Sequence, residues 1–130
     1  MTEPLVHVTG LDHIVLMVAD VEASLAFYCD KLGLPGERVD EWRSGEVMFP
    51  SVRLSEQTII DLFVGERSGT NLDHFALVVS TGTDLHGIVD SGEFEVVTEP
   101  VTRWGARGDG LSLYVRDPDG NTVELKQYET

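Results

Sequence analysis

The sequence predicts an α+β fold built from two β-α-β-β-β modules related by a pseudo-twofold repeat. Three observations predict it: an internal echo, a helix signal after each copy of that echo, and short strand-like runs that close each copy. LDHIVLMV at 11–18 returns as LDHFALVV at 72–79, 61 residues further on. TIIDLFV at 58–64 closes the first copy and NTVELKQ at 121–127 closes the second. Asp61 follows His13 by 48 residues, and Glu124 follows His74 by 50. Agreement at both ends, in the same order, marks one supersecondary unit present twice. Module 1 is expected at about 10–64, a polar linker at 65–71 (GERSGTN), and module 2 at about 72–128 of a single domain spanning 1–130.

The elements follow in order. Asp20 is placed to cap a first helix, and Val21, Leu25, Tyr28 and Leu32 recur on one helical face. Gly33 before Leu34-Pro35 is a stop signal, because glycine accepts the left-handed conformation and proline bars continuation. A weaker helix opens at Thr83 or Asp84, carries Leu85, Ile88 and Val89 on one face, and ends at Gly92. Strands are expected near 37–41, 46–54 and 58–64, then near 94–98, 111–116 and 121–128. Asp117-Pro118-Asp119-Gly120 reads as a hairpin turn between the last two strands.

Composition sets the limits. The 130 residues hold 9 Lys plus Arg against 23 Asp plus Glu, a formal net charge of −14. A field of that sign disfavours nucleic acid and anionic membranes as partners and favours cations, metals included. Cys29 is the only cysteine, so no intrachain disulfide forms and a reducing, cytoplasmic setting is expected. No apolar run approaches the ~20 residues of a spanning helix, and MTEPLVHVTG does not look like a signal peptide.

Strand alternation assigns the faces. His13 shares a face with Val15 and Met17, and His74 with Ala76 and Val78; Asp61 goes with Ile59 and Phe63, and Glu124 with Thr122 and Lys126. The opposite faces are apolar and suit packing against helices. The His and acid faces are then left to line a concave surface of a cupped mixed sheet. Two imidazoles and a carboxylate make a facial metal site with open positions for substrate. His13, His74 and Glu124 are the expected ligands, and nitrogen and carboxylate donors suit Fe, Mn, Co, Ni or Zn. Asp61 is either a fourth ligand or a general base. A strand histidine taken singly is more often structural, and the joint repeat is what favours a site. His7 and His86 lie outside the repeated strands and are expected to be exposed.

The strings LDHIVLMVADVEASLAFYCDKLGL, NLDHFALVV and RWGARGDGLSLYVRDPDGNTVELKQY resemble the vicinal oxygen chelate superfamily over roughly 10–128. That superfamily includes glyoxalase I, fosfomycin- and bleomycin-resistance proteins and extradiol dioxygenases. The closest resemblance is to its glyoxalase-like virulence protein, or glyoxalase-domain-containing type 5, branch. It implies paired modules forming a cup around a divalent metal, with ligand positions falling on His13, His74 and Glu124. Asp61 stands where glyoxalase I and related epimerases supply a further ligand, but it is shorter than their Glu or Gln.

The expected function is a divalent-metal-dependent, glyoxalase/dioxygenase-like enzyme acting on a small oxygen-chelating substrate by lyase, isomerase or oxygenase chemistry. Asp61, Tyr114 and Glu124 are the candidate catalytic residues, the first two for proton transfer. Two alternatives concern antibiotic resistance. A fosfomycin-type epoxide-opening enzyme is suggested by Ser112 and Tyr114 on one strand face, with Arg103 and Arg107 in a glycine-containing loop available to an anion. A bleomycin-type drug binder suits the acidity but has no use for an intact His-His-Glu set. The resemblance also implies a homodimer, with the site formed within one chain or shared between two.

Overall fold

Each copy of the repeat contributes four strands with mixed parallel and antiparallel pairing, and the two copies fall largely into different compact units. The computed structural model describes residues 3–66, 69, 71–116 and 120–129. The first unit is His13–Asp73; the second combines Met1–Asp12 with His74–Thr130.

In the first unit, β1 (Val8–Val18) enters at His13 and lies parallel to β4 (Ile59–Val64), with His13 opposite Ile59 and Val15 opposite Asp61. The antiparallel strands β3 (Ser51–Arg53) and β2 (Gly36–Glu37) complete the order β2-β3-β4-β1. Asp20 caps α1 (Val21–Leu25) by accepting from the Ala23 amide. The helix then widens into a π-helical segment at Ala26–Lys31 and ends before Gly33, whose φ is +75°. The wider turn lets the adjacent Tyr28 and Cys29 both reach the core formed by Val21, Leu25, Val52 and Leu62.

The strand expected at 37–41 is corrected here. Only Gly36–Glu37 is strand, and Val39–Arg43 forms a short helix, α2. Asp40 and Glu41 in its first turn and Arg43 in its last suit the helix dipole, while Val39 and Trp42 pack on the core. Arg38 precedes it in the left-handed region, at φ 60° and ψ 23°. The strand expected over 46–54 is likewise shorter, because Gly45 at φ +84° turns the chain and pairing begins only at Ser51.

The second unit repeats the plan. β5 (Leu72–Val79) enters at His74 and runs parallel to β8 (Thr122–Gln127), with Ala76 opposite Glu124. β8 pairs antiparallel with β7 (Gly108–Arg116), and β7 with β6 (Glu95–Gly105), giving the order β5-β8-β7-β6. Asp84 caps α3 (Leu85–Ser91), and Gly92 ends it at φ +71°. Leu85 and Ile88 pack with Val79, Leu113, Val115 and Leu125, from the strand faces opposite His74 and Glu124.

β6 runs well beyond the expected 94–98. Its pairing with β7 shifts register around Pro100, which has no N–H to give a ladder, and resumes to Gly105. Arg103 is therefore a strand residue, and Arg107 sits in a tight two-residue turn with its guanidinium 4.3 Å from the Tyr128 ring centroid. The glycine-containing loop expected around both arginines shrinks to the turn at Ala106–Arg107. The turn expected at 117–120 falls largely outside the described residues, as does part of the linker at 65–71.

Candidate functional site

In the second unit the site is built on β5, β7 and β8. Parallel pairing sets Ala76 against Glu124, so His74, two residues earlier on the same face, leans toward the same carboxylate. His74 Nε2 lies 3.1 Å from Glu124 Oε1. Glu124 is fully buried, and its other oxygen accepts a 2.7 Å hydrogen bond from Ser112 Oγ on β7. Behind them, Lys126 is also fully buried. Its ammonium donates to the Arg103 carbonyl at 2.6 Å and to Ser112 Oγ at 3.2 Å, and lies 3.7 Å from Glu124 Oε2.

Tyr114 is directly opposite Glu124 across the β7–β8 ladder, and its ring meets the His74 imidazole edge-on at 5.5 Å between centroids. Burial first, and the Glu124 charge second, push its phenol well above the usual tyrosine range. Tyr114 thus keeps its proton at neutral pH and stays a neutral hydroxyl beside His74.

The first unit carries the repeat-equivalent residues. His13 and Asp61 are both buried, with His13 Nε2 3.8 Å from Asp61 Oδ2. That separation is too long for a hydrogen bond. Ser51, directly opposite Asp61 on β3, donates its hydroxyl to Oδ1. Ser51 thus stands to Asp61 across its ladder as Tyr114 stands to Glu124. His7 and His86 are exposed, as expected.

Two residues of the second unit escaped the sequence reading. Lys126 lay on the correct face beside Glu124 but was given no role. Asp12 is fully buried, accepting from the Tyr128 hydroxyl at 2.6 Å and from the Ala106 amide at 3.0 Å. Its signal in the sequence is the Asp that repeats beside the histidine in each Leu-Asp-His string. The packing is close: a β-carbon on Gly105 would come within 2.2 Å of Lys126, 2.4 Å of Tyr128 and 2.6 Å of Asp12.

The donor set suits a divalent first-row ion. Glu124 has one oxygen fastened by Ser112 and the other turned to an imidazole nitrogen, the arrangement in which an outer hydrogen bond orients a carboxylate ligand. Among the described residues no helix is long and apolar enough to cross a membrane.

Comparisons with known proteins place the family. The chain matches the family model of the Glyoxalase/Bleomycin resistance protein/Dioxygenase superfamily over residues 10–125. It belongs to that superfamily, whose members include metal-dependent enzymes. It is 30% identical over 122 residues to virulence protein STM3117 of Salmonella typhimurium, covering 91% of this chain and 83% of that protein. It is 33% identical over 127 residues to a probable lactoylglutathione lyase of Synechocystis, covering 88% and 92% respectively. Among solved structures, the Mn(II)-bound glyoxalase of Novosphingobium aromaticivorans is similar in fold, with a TM-score of 0.67 at 20% identity, over 94% of this chain and 40% of that one.

Proposed function

We propose that the protein is a divalent-metal-dependent enzyme acting on a small molecule that presents oxygen atoms to the ion, with His13, His74 and Glu124 as the metal ligands. One observation carries this reading. A fully buried carboxylate has one oxygen locked by Ser112 and backed by Lys126, while the other faces His74 Nε2 at 3.1 Å. Burying so much polarity costs stability unless every member is paired, and such clusters concentrate at functional sites. His13 enters the ligand set as the repeat equivalent of His74, on the matching strand and face.

A bound divalent ion supplies Lewis-acid polarisation of a substrate oxygen. The chain's own residues do the rest. Ser112 and Lys126 hold Glu124 in one orientation. Tyr114 keeps its proton and presents a neutral hydroxyl beside His74. Asp61, steadied by Ser51, is the proton acceptor of the other half-site.

We infer that the protein works as a homodimer, as its membership of this superfamily suggests. Sedimentation together with mixing of His13→Ala and Glu124→Gln chains tests this. Activity regained on mixing identifies a site shared between subunits, whereas a monomer that binds metal tightly contradicts the dimer. The functional reading is tested by reloading the metal-free protein with Mn, Fe, Co, Ni or Zn and screening thiol adducts, catechols and epoxides. Turnover that needs metal and disappears in His74→Ala supports it. Equal turnover by the chelated protein sinks it.

A further inference from the structure

We propose, building on the metal-site reading above, that Arg103 is a specificity-determining residue whose guanidinium receives a carboxylate carried by the substrate. The two antiparallel ladders of the second unit place it. Residues directly paired across such a ladder project from the same face of the sheet. Between β7 and β8, Tyr114 is paired with Glu124 and Ser112 with Lys126. Between β6 and β7, Val101 is paired with Ser112 and Arg103 with Gly110. Arg103 therefore rises from the face that carries Ser112, Tyr114, Glu124 and Lys126, on the outermost strand of the sheet. Gly110 puts no side chain across from it. A β-carbon there would come within 2.7 Å of the Gln127 carbonyl oxygen, so close packing keeps this position clear.

The lysine and arginines of the second unit differ in what they touch. Lys126 is fully buried and bonded to Ser112, facing Glu124. Arg107 lies over the Tyr128 ring in the β6–β7 turn. Arg116 faces Glu95 at 3.3 Å and donates to the Gly120 carbonyl at 3.1 Å. Arg103 is exposed, and its Nη1 donates to the adjacent Thr102 carbonyl at 3.1 Å. A guanidinium has five N–H donors, so that contact leaves others for a ligand. Lys126 also fastens the Arg103 carbonyl at 2.6 Å, which fixes the backbone from which the side chain extends. The Arg103 charge reaches the Tyr114 phenol, where it works against the upward push of burial and of Glu124.

Charge narrows the substrate class. A chain of net charge −14 does not draw anions by its overall field, so a local cation has to select one. The planar N–H fork of a guanidinium matches a carboxylate. One guanidinium also balances the single charge of that group. With Lys126 already facing Glu124, the buried cluster leaves no second cation for a dianion such as a phosphate.

The test loads the chain with Zn(II) and titrates two catechol acids, protocatechuate and its isomer pyrocatechuate, against their neutral amides by calorimetry. Acid and amide offer the ion the same vicinal oxygens and differ in the charge beside them. Arg103→Gln is expected to take up Zn(II) and bind the amides as the parent does. Its preference for acid over amide is expected to fall at least about tenfold for one isomer or both, the usual scale for a charge-assisted hydrogen bond. Arg107→Gln, a neighbouring cation outside the proposed contact, is expected to keep the parent's preference. An acid-to-amide ratio unchanged by Arg103→Gln for both isomers, or an equal fall in Arg107→Gln, overturns the role of Arg103 while the metal reading stands. A zinc-loaded parent that binds none of the four probes overturns it too. A parent that takes up no Zn(II) overturns the metal reading and this role with it.

Discussion

Lys126 Nζ lies 3.7 Å from Glu124 Oε2, and neither residue has any exposed surface. Burial holds the ammonium below the ordinary lysine value, while the Glu124 carboxylate pulls it back toward the charged form. Ser112 touches both, donating to Glu124 and accepting from Lys126. The pair therefore does geometric work: with one carboxylate oxygen occupied from behind, the other is directed at His74.

Breaking this pair is expected to be costly. Lys126→Met leaves a buried carboxylate without its cation, and a loss of about 3–5 kcal/mol follows from other buried pairs. The double variant Lys126→Met/Glu124→Leu removes both charges and is expected to recover much of that loss. Urea denaturation in the presence of chelator measures the cycle. Strictly additive losses would show that the two groups are not coupled.

Gly105 makes the same cluster sensitive to a single methyl group. A β-carbon there meets Lys126, Tyr128 and Asp12 at once, so Gly105→Ala is expected to destabilise by about 1–3 kcal/mol. Gly10→Ala, where nothing lies within 4 Å, is the control and is expected to be near neutral. Similar melting temperatures for the two variants would contradict the packing described.

Tyr128 sets an alkaline limit on stability. Burial first, and its hydrogen bond to Asp12 second, raise its phenol above the ordinary tyrosine value of ~10. The folded state thus keeps this proton more tightly than the unfolded chain does. The linked stability is complete below pH ~10 and drains away as pH climbs through the raised value. Tyr128→Phe is expected to flatten the fall in urea midpoint between about pH 10 and pH 12. An unchanged slope would mean that the proton is not held as described.

Much of this arrangement is legible in the sequence. The repeated strings placed His13 and His74 on matching strands, and alternation put Asp61, Glu124 and Tyr114 on the faces they occupy. Asp20, Asp84, Gly33 and Gly92 marked helix ends because capping is local chemistry. Other features depended on distant partners. Asp12 reaches Tyr128 across 116 residues of chain and Ala106 across 94, and nothing near Asp12 announces either contact. Val39–Arg43 became helix because Val39 and Trp42 found a core to cover, overriding the strand preference of a short valine-containing run. Lys126 was visible beside Glu124, but its burial was not, since lysine is almost never fully buried without a partner.

Metal content tests the central claim most directly. The protein is purified without chelator, stripped, and reloaded by calorimetric titration with Mn(II) and Zn(II). One ion per chain is expected, with His13→Ala, His74→Ala and Glu124→Gln each weakening uptake by more than about 100-fold. Ser112→Ala, which removes only the outer hydrogen bond, is expected to weaken it by about 10–100-fold. Undiminished uptake by folded His74→Ala and Glu124→Gln, or a reloaded parent chain that takes up no metal, would contradict the account.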